Sequence, residues 1–83
     1  MPLYNPTFIY ALLNDEITRA EDLHGVNPNL SDEIWMRILV EEIGEVARAI
    51  HENKPSKNII EELIQVSAVS LRWADERFNR DLR

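Results

Sequence analysis

The sequence predicts an all-α protein: a single domain over residues 1–83, built as a three-helix protomer that assembles into a dimeric or tetrameric helical bundle. Three observations predict it. Apolar residues recur at helical spacing in three stretches, and nowhere do they alternate as in a strand. Two breaks separate the stretches, His24-Gly25-Val26-Asn27-Pro28-Asn29 and Asn53-Lys54-Pro55-Ser56. Apolar positions also cover more than one face of the last helix, more than three helices can bury alone, so the protein is expected to self-associate.

The first helix is expected from about Pro6 to Leu23, with Asn5 as cap and Pro6 at the first helical position. Phe8, Ile9, Leu12, Leu13, Ile17 and Ala20 form its apolar stripe, read as core; Asn14, Asp15, Arg19 and Glu21 face away. Gly25 suits a left-handed residue closing the helix. His24 reads as a cation stabilised at the helix C-terminus, phosphate or base binding being the other reading.

The second helix is expected to start after a Ser31 cap, to carry Asp32 and Glu33 in its positive first turn, and to run to about Glu52. Gly44 lies inside it at a cost of about 1 kcal/mol relative to Ala, which predicts a close helix contact there. The third helix is expected from Ser56 or Asn58 to about Asn79. Asn58 with Glu61 resembles a capping box, and residues 80–83 are expected to fray. Ser67 and Ser70, small and on the apolar side, would let another helix approach.

The 83 residues carry a net charge of −6 and no cysteine. The charge argues against a general nucleic-acid binder, which needs a basic stripe against phosphates, though not against a nucleotide substrate. Without cysteine there is neither a disulfide framework nor a thiolate metal site. No run of eighteen apolar residues is present, so no membrane span is expected. Met-Pro-Leu-Tyr-Asn lacks the regions of a signal peptide, and a cytoplasmic protein is expected.

The anomaly is in Leu39-Val40-Glu41-Glu42-Ile43-Gly44-Glu45-Val46-Ala47-Arg48-Ala49-Ile50. At about 100° per residue, Glu42 falls between Ile38 and Val46, and Glu45 between Ile34 and Ile38. These acids interrupt the apolar face, and Glu41 sits at its edge. Two charges about 5–6 Å apart repel by roughly 3 kcal/mol at an effective dielectric of about 20. Arg37 and Arg48 are expected to relieve only Glu41. The third helix repeats the pattern, with Glu62 beside Val69 and Trp73 and Gln65 one turn on. A short connection implies antiparallel packing, which would set Glu42 and Glu45 opposite Glu62 and Gln65. Oxygen ligands on facing helices suit a hard cation, Mg²⁺ or Mn²⁺.

Glu41-Glu42-Ile43-Gly44-Glu45-Val46-Ala47 followed by Glu61-Glu62-Leu63-Ile64-Gln65-Val66 resembles the MazG-like all-α nucleoside triphosphate pyrophosphohydrolases, whose pattern is Glu-x-x-Glu, a variable gap, then Glu-x-x-Asp. The resemblance covers roughly residues 34–75. It implies cleavage of nucleoside triphosphates between the α and β phosphates, Mg²⁺ as cofactor, and assembly as dimers or tetramers. It assigns Glu42, Glu45 and Glu62 to the metal, with Gln65 at the position of the family's Asp. A Gln offers a carbonyl oxygen without charge, so Glu41 or Asp75 is a candidate to complete the set. Glu42 or Glu45 would orient or deprotonate the attacking water. Lys54, Lys57 and Arg72 are candidates for the substrate phosphates, ordinary surface charge being the plainer reading of each. Trp35 and Trp73 could stack a base but read first as core. Two other readings stand beside the enzyme: a nucleotide-binding or oligomerisation module that lost turnover with the Asp, and a helical dimer whose inward acids pair with a partner chain's arginines.

Overall fold

A computed structural model of the chain describes residues 6–83, so the expected Asn5 cap lies outside the described residues. Three helices follow one another: α1 (Pro6–His24), α2 (Asp32–His51) and α3 (Ser56–Asp81). No strand occurs among the described residues, and none of the helices is long and apolar enough to cross a membrane.

The helix ends follow from local chemistry. Gly25 takes φ +88° and its N–H reaches the Glu21 carbonyl at 2.8 Å, closing α1 with a left-handed residue. The Ser31 hydroxyl accepts the Ile34 N–H at 3.3 Å and caps α2. Asn53, at φ +55°, ends α2: its N–H donates to Ile50 and the Lys54 N–H to Ala49, the paired bonds of a Schellman turn.

Three expectations are corrected. Asn58 does not cap α3; the helix starts at Ser56 behind Pro55, whose carbonyl accepts the Asn58 N–H at 2.9 Å. Residues 80 and 81 do not fray, because Arg80 donates to the Leu30 carbonyl at 3.0 Å and to Glu76 at 2.9 Å. Gly44 meets no close helix contact within the protomer: a Cβ built there finds nothing within 4 Å.

α3 is the spine. It packs along α2 and along α1, while α1 and α2 have no Cα pair within 8 Å of each other among the described residues. In α1 the stripe holds for Ile9, Leu12, Leu13, Ile17 and Ala20, but Phe8 is exposed. The core is thin. Trp35, at 1% exposure, is its one large fully buried side chain among the described residues, joined by Ala20, Ala49, Ile64, Ala68 and Val69.

One buried acid ties the connection before α2 to α3. Glu76, 4% exposed, accepts the Asn29 N–H at 2.6 Å, the Leu30 N–H at 3.1 Å and the Trp35 indole N–H at 2.7 Å, and pairs with Arg80. Beside it the Trp73 indole donates to Asp32 at 2.8 Å. These bonds lock the start of α2 against the end of α3 and so set the antiparallel register of the hairpin.

Candidate functional site

That register divides the four motif positions into two facing pairs. Glu42 and Gln65 line one side of the α2–α3 seam, and Glu45 and Glu62 a smaller cleft on it. The two pairs are consistent with one antiparallel alignment, since a step of three along α2 is matched by a step of three back along α3. The α2 positions thus lie across the seam from the α3 ones, in two pairs that line separate concavities.

Their partners differ. Glu45 forms an ion pair with Arg48 one turn on, so Arg48 relieves Glu45 and not Glu41 as expected; on a helix, positions three apart face one another. Glu42 and Glu62 each keep a buried Oε2 with no hydrogen-bond partner. Burial pushes the Glu42 carboxyl above its ordinary value, and the charges of Glu62, Glu45, Glu16 and Glu41 push it the same way. No group of three acids or histidines among the described residues closes into a metal cage. A divalent cation nonetheless fits the donor set of Glu42 and Glu62, because two buried, unpartnered carboxylate oxygens are the groups a hard cation would satisfy.

Because α1 and α2 stand apart, a cavity of about 510 Å³ opens between them, floored by α3. Glu42 and Gln65 lie in its wall, with Trp35 and Arg72 further along. The Arg72 guanidinium lies over the Trp35 ring at 5.4 Å and donates to the Gly25 carbonyl at 3.3 Å, and its Nε is buried without a partner. From α1 the cavity receives Glu16, Arg19 and His24. Arg19 is exposed, as expected of a residue that faces away, and forks onto Glu16 at 2.9 and 2.5 Å. That hydrogen-bonded pairing leads the causes that hold the Glu16 carboxyl below its usual range, against burial, which raises it.

The remaining candidates are scattered. Lys54 lines the smaller cleft beside Glu45 and Glu62 and lies 3.8 Å from Glu52. Lys57 and Glu41 are exposed and line neither concavity. Asp75 lies ten residues beyond Gln65, about 15 Å along the helix axis, in a separate cleft with Ile17, Glu21 and Val26, and accepts the Asn79 amide at 3.3 Å. The structure does not bring it to the other acids. Trp35 is core that also walls the cavity, and Trp73 is half-buried against Asp32. Reasoning from the sequence missed Glu76 and the Glu16–Arg19 pair. A spacing of four between Glu76 and Arg80, and of three between Glu16 and Arg19, was the available signal.

An all-α domain with acids sunk into the seam of a helical hairpin, beside a cavity that also receives Arg19 and Arg72, defines the class: a helical-hairpin domain with an acidic seam. The chain belongs to the MazG nucleotide pyrophosphohydrolase domain family, whose family model matches residues 30–74. That match spans α2, its connection and most of α3; α1, which contributes Glu16, Arg19 and His24 to the cavity, lies outside it. No curated protein and no solved structure matches the chain. At the family level the activity is nucleotide pyrophosphohydrolysis.

Proposed function

We propose that this chain is a Mg²⁺-dependent nucleotide pyrophosphohydrolase, Mn²⁺ being able to substitute, which cleaves a nucleoside triphosphate between its α and β phosphates to a monophosphate and pyrophosphate. The observation that carries the reading is the pair of buried, unpartnered carboxylate oxygens on Glu42, which lines the cavity, and on Glu62, which lines the smaller cleft. Glu42 and Glu62 would hold the cation, with Glu45 and Gln65 beside them. When bound, it would offset the charge of the phosphate oxygens.

The protein's own residues divide the rest of the work. Glu42 lines the cavity and would take a proton from the attacking water there. Glu45, held by Arg48, keeps the second carboxylate of the motif at the seam. Arg72, its guanidinium held by the Trp35 ring and the Gly25 carbonyl, would offer a positive charge to a polyanion in the cavity. Lys54 does the same for the smaller cleft. Incubation with a panel of nucleoside triphosphates and Mg²⁺ or Mn²⁺, read as pyrophosphate released, tests the reading.

A second reading is favoured by one residue. Gln65 brings no charge to the wall where the family pattern has Asp, which suits a nucleotide-binding module without turnover. Nucleotide binding by calorimetry with no pyrophosphate released would select it, and the absence of both would overturn the two readings together.

A further inference from the structure

α1 brings a second guanidinium to the cavity, and the family match over residues 30–74 gives it no role. Glu16 and Arg19 share a concavity with Gln65 on the α1–α3 side, and all three also line the cavity. Arg19 therefore stands at the Glu42–Gln65 end. Arg72 lies seven residues beyond Gln65 on α3, about 10 Å along the axis. Bonded to the Gly25 carbonyl just past α1, it stands at the other end.

The two arginines are held differently. Arg72 lies over the Trp35 ring and donates to a backbone carbonyl, both fixed parts of the fold. Arg19 is forked on Glu16, its side chain 56% exposed and that of Glu16 17% exposed. An exposed pair three apart on a helix contributes little to stability, so it breaks at small cost. A phosphate group carries more charge than a carboxylate and accepts the same two-pronged fork. Gln65, beside Arg19, brings no charge of its own to hold it.

We propose that Arg19 is a phosphate-binding residue of the cavity, held by Glu16 until a polyphosphate binds and then passed to a phosphate group at the Glu42–Gln65 end. Glu16 is then a competitor for the guanidinium. Its unpairing on ligand binding is a loss that Glu16→Gln removes. The proposal rests on the reading that a polyphosphate occupies the cavity, and it does not need turnover.

Titration calorimetry on the full chain in Mg²⁺ tests it. One probe is inorganic tripolyphosphate; the other is the set of non-hydrolysable α,β-methylene analogues of nucleoside triphosphates. Arg19→Gln should weaken binding by about tenfold, which corresponds to about 1.4 kcal/mol. Arg37→Gln, which removes an exposed charge of α2 outside the cavity, should change it by less than about twofold. Glu16→Gln should tighten binding by about threefold, and in an Arg19→Gln background that gain should vanish. A contrast seen with the analogues alone names a nucleotide as the ligand; one seen with tripolyphosphate alone names an inorganic polyphosphate. An Arg19→Gln loss no larger than that of Arg37→Gln overturns the proposal and leaves the pyrophosphohydrolase reading standing. A Glu16→Gln gain of the same size with and without Arg19 also overturns it, since that is the plain removal of a negative charge. The expected contrasts without any pyrophosphate release from nucleoside triphosphates remove the turnover and keep the proposal. Failure of the wild type to bind either probe overturns both.

Discussion

Glu76 on α3 accepts the indole N–H of Trp35 on α2 at 2.7 Å, so the one large fully buried side chain among the described residues is held by the most buried acid among them. The same carboxylate takes two backbone N–H groups from Asn29 and Leu30. Asn29 sits at φ +59°, a left-handed turn that aims both amides at one acceptor. The wall of the cavity that includes Leu30 and Trp35 is therefore positioned by an acid that does not itself line it.

Glu76→Gln should destabilise the fold by about 2–4 kcal/mol, because an amide turns one acceptor into a donor against groups that donate, and Arg80 loses its counter-charge. Urea unfolding followed by tryptophan fluorescence measures it. A loss below about 0.5 kcal/mol, the scale of an ordinary surface change, would show that the network is dispensable.

The pH dependence of the metal-free protein should carry two opposed contributions. Burial alone would raise the Glu76 carboxyl, but the Trp35 indole, the two amides and Arg80 outweigh it and leave it below its ordinary 4.5. Its contribution is therefore present above 4.5 and is lost as pH falls through the depressed folded value. Glu42 is raised, so its contribution has the other sign: stability falls as pH rises from 4.5 through the raised folded value. Glu42→Gln should flatten the upper limb and leave the acid limb in place. Melting curves across acid to neutral pH check both, and an unchanged upper limb in the variant would remove Glu42 as its source.

Mg²⁺ or Mn²⁺ should raise the melting temperature, since it would relieve the repulsion at Glu42 and Glu62. A cation bound only by the folded state adds about 2.7 kcal/mol at a hundredfold excess over Kd. Glu62→Gln should abolish most of that gain. Glu45→Gln should reduce it less, because Glu45 already has Arg48 as partner, yet it should lower pyrophosphate release. Equal losses of metal stabilisation in the two variants would mean that Glu45 leaves Arg48 for the metal.

The helices were legible because their signals are local. Gly25, Ser31 and the period of the apolar residues fix them through bonds that reach no further than a turn. That Glu42 and Glu45 lie across from Glu62 and Gln65 was legible too, since a short connection leaves α2 and α3 little choice but to run antiparallel; which of them pairs with which was not. What the sequence hid is non-local. Glu76 looked like any helix acid until the turn at Asn29 delivered its donors. The Glu16–Arg19 pair went unseen because the cavity between α1 and α2, which gives it a place, depends on α3 contacting both helices. Asn58 misled because a capping pair can be written anywhere in a helix, and Pro55 had already started α3.

The last prediction concerns Gln65. It shares the cavity wall with Glu42, and on its other side it lines a concavity with Glu16 and Arg19. Changing Gln65 to Asp places a carboxylate opposite Glu42, which should tighten Mn²⁺ binding; each tenfold corresponds to about 1.4 kcal/mol. Asp is a methylene shorter than Gln, so Gln65→Glu is the control for reach. Two outlets exist for the new charge: a cation at the seam, or Arg19, already engaged by Glu16. If the charge turns to Arg19, the metal-free protein changes little and metal affinity does not improve. If it stays at the seam, the metal-free melting temperature drops, since Glu42 and Glu62 repel it, and the metal-bound one rises. Opposite signs with and without metal are the expected result, and titration calorimetry with melting curves on both variants measures them. No change in metal affinity for either Asp or Glu would mean that Gln65 serves the α1 side of the cavity and has no part in holding the cation.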